Sequence, residues 1–225
     1  MISTNPFNTR EDIKRFMEEA KKYHPNEQDI ILLVSVFKLS TFLNIVIIRN
    51  DNLNHKNHLE GLIYDTLNSI IAIFNLRERY LHLNLRSIIE HIARIALNKV
   101  YQGNEFDGTV RRKDFEYLKL ERASENWKFM HETYIRACHY VHFSPEAQLN
   151  VAAKFIDLLS KDHKTKPSKQ ILNLQKVISS TIRIFIEYFE PEISNAFFRS
   201  QGELRYLLGP SLYKAYEFKA GRIAV

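Results

Sequence analysis

A chain of 225 residues, 45% hydrophobic and 12% aromatic, can bury a sizeable core as one large domain, which excludes disorder over most of its length. Six Gly and six Pro are few for an all-β protein with many turns, and the single cysteine, Cys138, excludes an internal disulfide and suits a reducing compartment. Lys and Arg number 32 against 26 Asp and Glu, a net charge of +6 that permits nucleic-acid binding without demanding it.

Residues 1–7 hold no basic stretch followed by an apolar run, so no secretory signal is expected. Thr9 has the character of an N-cap, with Glu11 and Asp12 in the first turn, and predicts a helix to about His24. A second helix is expected from about Asn26 to Arg49, stopped by Asn50-Asp51-Asn52. Its stretch Ile30 to Ile48 has the apolarity of a membrane span. Lys38 at its centre would cost roughly 2.5–3.5 kcal/mol on insertion scales, so a helix buried within a soluble protein is expected.

A third helix starts near Asn57, runs through Leu62, Leu67, Ile70 and Phe74, and breaks around Leu76–Tyr80. In the next, Leu85, Ile88, Ile89, Ile92, Ala96 and Val100 recur at three- and four-residue spacing and form one apolar face. Arg86, Glu90 and Arg94 lie at i, i+4 and i+8 on another face, where opposite charges pair. Residues 102–108 are loop-like. Arg111-Arg112-Lys113 and the run 161–169 form basic clusters, each expected as a solvated surface loop.

A helix from about Ser124 to His142 follows, and Ser144-Pro145 signals the start of another reaching Ser160. A long helix is expected from about Lys169 to Phe189, ahead of Pro191, with shorter pieces around Gly209-Pro210. No segment alternates over many residues and no internal repeat is found. The expected fold class is all-α, a multi-helix bundle.

Chemistry concentrates in Arg136-Ala-Cys-His139-Tyr-Val-His142. On a helical wheel Trp127, Met130, Tyr134, Cys138 and Val141 share the core side, with Arg136 and His139 opposite. His142 falls about 120° from Arg136 and roughly 9 Å further along the axis, within reach of a long side chain. An imidazole titrating near neutrality can take a proton from an RNA 2′-hydroxyl, and a guanidinium can hold the phosphate bidentately. The attack is internal, so no metal-bound water is required and no cofactor is expected. One His per chain supplies acid or base, and a homodimer would supply the other. Ser144 opens the next helix, where free N–H groups attract anions. His139, Tyr140 and Glu90 are candidate supporting or substrate-contacting residues, with Glu90 able to orient an imidazole if the helices pack. The competing reading makes Arg136 a surface residue and His142 a structural one.

Arg136-x5-His142 resembles the Arg-x(4–6)-His signature of HEPN-domain proteins, small helical domains that include many metal-independent RNases of toxin–antitoxin, abortive-infection and CRISPR-linked systems. Leu85-Arg-Ser-Ile-Ile-Glu90 is also similar to helices of divergent HEPN-like proteins. In helix order the resemblance covers residues 57–190. It implies a HEPN-like domain there, packed by N-terminal helices in 1–56 and extended by helices in 191–225. It further implies a cytoplasmic dimer with a composite RNA-cleaving cleft, Arg136 and His142 as catalytic positions, and a cognate antitoxin or defence partner. The alternatives are a non-catalytic helical interaction protein, or nucleic-acid binding through basic loops without cleavage. His55, His58 and Glu60 lack the further ligands of a convincing zinc site, so no metal is expected. Cys138, on the core stripe, is expected to be inert packing.

Overall fold

The computed structural model describes residues 9–100, 109–147, 162 and 164–222. Among these it is all-α, with eight helices: α1 Thr9–Tyr23, α2 Glu27–Arg49, α3 Lys56–Phe74, α4 Glu78–Val100, α5 Arg112–Glu121, α6 Trp127–Val141, α7 Pro167–Ala196 and α8 Gln201–Lys219. The expected loop at 102–108 and all but the first turn of the helix expected to reach Ser160 lie outside the described residues. What is described of that helix is a 3-10 turn, Pro145–Ala147.

α2 is apolar nearly all round, and α1, α3, α7 and α8 enclose it. Leu33, Val36, Phe42 and Val46 are fully buried on its different sides. Its polar residues are accommodated locally. Ser40 and Thr41 donate their hydroxyls to Val36 O (3.3 Å) and Phe37 O (2.9 Å), and the Lys38 ammonium lies 3.7 Å from the Tyr206 ring centroid. The helix is long and apolar enough to cross a membrane, and 67% of its apolar window is buried inside the fold. Asn26 caps its start by accepting the Asp29 N–H at 3.0 Å. Thr9, expected as a cap, instead begins α1 and donates to Glu203 of α8.

α3 and α4 form an antiparallel hairpin across the break at Leu76, a left-handed residue with φ 55°. α4 then packs against α5, α6 and α7. One apolar core runs from Ile13 in α1 to Tyr216 in α8.

Four expectations are corrected. The stretch expected as a basic loop at Arg111-Arg112-Lys113 opens α5. Asp114 receives the Arg111 N–H at 2.7 Å, and Phe115 and Leu118 are fully buried, so a helix end organises these charges. α6 starts at Trp127 rather than Ser124, and its buried stripe is rotated. Trp127 and Met130 are buried as expected, but Thr133 and Ala137 complete the stripe, leaving Tyr134, Cys138 and Val141 half-buried. α7 passes Pro191 and continues to Ala196. Since a helical Pro has no N–H and clashes with the carbonyl four residues back, the helix kinks at Phe189 (φ −126°, ψ 25°) instead of ending. The C-terminal pieces join as α8, kinked at Gly209 (φ 70°), a left-handed geometry suited to glycine.

Candidate functional site

α6 packs along α4, and its last turn meets the α4 arginines. His142 is the C-cap, its N–H bonded to Cys138 O at 2.9 Å, and Phe143 (φ 55°) turns the chain away. The carbonyl end of a helix carries partial negative charge. Two α4 arginines meet this end. Arg79 Nη2 donates to Val141 O at 3.2 Å, its guanidinium over the Phe143 ring, and Arg86 Nη1 lies 3.5 Å from His142 Nε2. Arg86 and His142 are 56 residues apart in sequence.

Arg86 is held from behind. Its Nε donates to Glu90 Oε1 at 3.0 Å, and Glu90 also accepts the Tyr134 hydroxyl at 3.0 Å and faces Arg94 Nη2 at 3.7 Å. The expected Arg86–Glu90–Arg94 ladder is thus present, with a tyrosine added from α6. Burial works against the Arg86 charge, but the hydrogen bond and charge of Glu90 outweigh it and raise the pKa. Burial and the Glu90 carboxylate push the Tyr134 phenol up, keeping it neutral as a donor. Glu90 therefore positions the guanidinium facing His142 rather than the imidazole itself. Burial likewise raises the Cys138 thiol, which disfavours the thiolate.

Arg136 has other neighbours. It is exposed and lines a cavity of about 460 Å³ between α4, α6 and α7, with Tyr140, Lys169 and Lys176. Arg136 and His142, paired in the sequence reading, thus belong to different surroundings in the described chain. Tyr140 stacks on His82 with ring centroids 3.7 Å apart and donates to Glu78 Oε1 at 3.2 Å. His139 Nδ1 lies 2.8 Å from Ser144 Oγ and 3.6 Å from Glu146 Oε2. Ser144 thus closes the turn after α6.

Glu78, which the sequence reading missed, anchors the entry to α7. Its Oε2 accepts the backbone N–H groups of Lys164 (2.6 Å) and Thr165 (3.0 Å), while its own N–H donates to Asp162 O at 2.9 Å. Burial opposes the charge, yet hydrogen bonds from His82, Thr165 and Lys164 hold this carboxyl far below the usual range. Only its place in the first turn of α4 marks it in the sequence. Arg79 and Arg86, seven residues apart and so on one face of α4, carry a signal that was legible but had no assigned partner.

Of the histidines set aside as a weak metal candidate, His55 and His58 lie side by side, ring centroids 6.4 Å apart. His58 Nδ1 faces His91 Nδ1 at 3.1 Å, and His91 Nε2 faces Asp65 at 3.6 Å. Among the described residues no group of three or more His, Cys, Asp or Glu side chains is arranged to hold a metal ion.

Comparison of the chain with protein-family models, curated proteins and solved structures finds no match.

Proposed function

We propose that this chain is a cytoplasmic, metal-independent endoribonuclease of the HEPN type, acting as a toxin or antiviral effector. The observation that carries the reading is the approach of Arg86 to His142 at the exposed end of α6, 3.5 Å between Nη1 and Nε2. Arginine has only donors, so a hydrogen bond across this gap requires the lone pair on His142 Nε2, which is also what a proton acceptor needs. With RNA bound, His142 takes the proton of a 2′-hydroxyl. The 2′-oxygen attacks phosphorus, the bond to the 5′-oxygen breaks, and Arg86 and Arg79 stabilise the charge on the phosphoryl oxygens. His142 of a second copy returns a proton to the leaving 5′-oxygen. The products are a 2′,3′-cyclic phosphate and a 5′-hydroxyl. Arg136, which lies apart from the Arg86–His142 pair, is assigned to the bound strand outside the scissile linkage.

The test is cleavage of a mixed RNA panel in EDTA, reading end groups as well as rate. Wild-type protein is expected to leave cyclic phosphate ends, and His142→Ala to be inactive with its thermal unfolding unchanged. Intact RNA across the panel would reject the nuclease reading.

A second reading, a non-catalytic helical protein that binds a polyanionic partner, is favoured by one observation. Arg136 faces a cleft with two lysines rather than His142. Tight, salt-sensitive RNA binding without cleavage would establish it.

A further inference from the structure

The cavity holding Arg136 has a neighbour. A second cavity of about 500 Å³ continues along α7 toward the kink at Gly209, and the two share Phe129 and Lys176 as lining residues. Together they form one groove following α7 from Lys169 to Arg183, roughly 21 Å at 1.5 Å per residue.

The sequence of α7 sets the character of this groove. Lys169, Asn173, Lys176, Ser180 and Arg183 recur at four- and three-residue steps and fall within one stripe of the helix. The buried residues of α7, among them Ile171, Leu174, Val177 and Ile178, lie on its other sides. Lys169, Lys176 and Arg183 are exposed, and Arg136 adds a fourth exposed cation from α6. Among the described residues none of Arg136, Lys169 and Lys176 forms an ion pair, and Arg183 makes only a long hydrogen bond, 3.4 Å, to Ser211 Oγ. Glu78 is the carboxylate among the described lining residues, and the bonds from Tyr140, Lys164 and Thr165 already engage its oxygens. The rest of the described lining is the His82 imidazole with hydroxyl, amide and apolar groups, and Phe129 lies where the cavities meet.

Among the described residues, cations repeated along one stripe of α7 with Glu78 as the one lining carboxylate, and apolar and aromatic surface between them, suit a strand carrying one negative charge per unit and a flat ring beside each charge. A duplex keeps its rings stacked inside, and an acidic peptide offers none. We propose that the groove along α7 is a sequence-tolerant track for single-stranded RNA, its phosphates on Arg136, Lys169, Lys176 and Arg183 and a base against Phe129. The choice of RNA over other single strands rests on the nuclease reading above. The groove itself does not.

Binding of a short labelled 2′-O-methyl oligonucleotide, which cannot undergo 2′-hydroxyl attack, tests the track apart from the chemistry. Four phosphate contacts predict a slope of log affinity against log salt near about −3, from roughly −0.7 per contact on single strands. Alanine at Lys169, Lys176 and Arg183 together is expected to cut affinity more than about tenfold and bring the slope to about −0.7. Lys176→Arg should retain binding. Absence of binding by wild-type protein, an unchanged slope in the triple variant, or equal binding of a duplex or of polyglutamate would each overturn the proposal. Groove-dependent binding without cleavage of natural RNA would uphold the track and reject the nuclease. Cleavage with groove-independent binding would do the reverse. A thermal melt of each variant separates loss of binding from loss of fold.

Discussion

Arg86 on α4 faces His142 at the end of α6, with 3.5 Å between Nη1 and Nε2, and Glu90 fixes the guanidinium from the other side at 3.0 Å. If this pair is the chemical centre, Arg86→Ala should lower kcat by roughly 10²–10³ and His142→Ala by roughly 10²–10⁴. Arg136→Ala, in the groove, should raise KM with kcat largely kept. Single-turnover RNA cleavage with each variant checks the split. Equal kcat losses for Arg86 and Arg136 would dissolve the distinction.

Acid sensitivity should trace to Glu78. Its pKa is depressed in the fold, so the unfolded chain binds more protons wherever the two states differ. The stability it contributes is complete above the unfolded value of about 4.3 and is lost as pH falls through that value toward the folded one. Glu78→Gln is expected to cost about 1–3 kcal/mol at pH 7, by spoiling bonds to buried donors. It should also flatten the acid limb of a stability–pH curve below about pH 5. Urea unfolding across that range, with an unaltered limb in the variant, would show that other groups govern it.

Gly61 is demanded by His91. A Cβ on residue 61 would fall far inside contact distance of the imidazole Nε2, where α3 meets α4. Gly61→Ala should destabilise by about 1–3 kcal/mol, and His91→Ala in the same chain should recover most of it. Additive losses in that double-mutant cycle would mean the clash is relieved elsewhere.

The α2 helix should stay within the fold. Leaving it for a bilayer would strip the core of Leu33, Val36, Phe42 and Val46 and take the Lys38 ammonium from the Tyr206 ring. Expressed protein is therefore expected in the aqueous fraction without detergent. Retention in carbonate-washed membranes would contradict this. Within the fold, Phe42→Ala should cost about 3–5 kcal/mol, because the ring packs on both Phe185 and Phe197.

Helical class, most helix positions and the Arg86–Glu90–Arg94 ladder could be read along the chain, because each depends on neighbours three or four residues away. The start of α2 near Asn26 and the break at Leu76 were legible for the same reason. α5 was missed because its charges outnumber its core contacts, and Phe115 and Leu118 gain meaning only against other helices. The buried stripe of α6 was misjudged where its larger side chains looked like core. Thr133 and Ala137 are the buried positions instead, and Tyr134 stays half-buried, its hydroxyl bonded to Glu90.

The sequence by itself determined that this is a helical protein with a concentrated Arg/His segment, since helix periodicity and residue chemistry are local properties. Which arginine His142 meets was decided by tertiary structure alone. The packing of α6 on α4 joins residues 86 and 142, while the separation of α6 from α7 sends Arg136 into a groove. No local spacing encodes either distance, because both depend on how three helices cross.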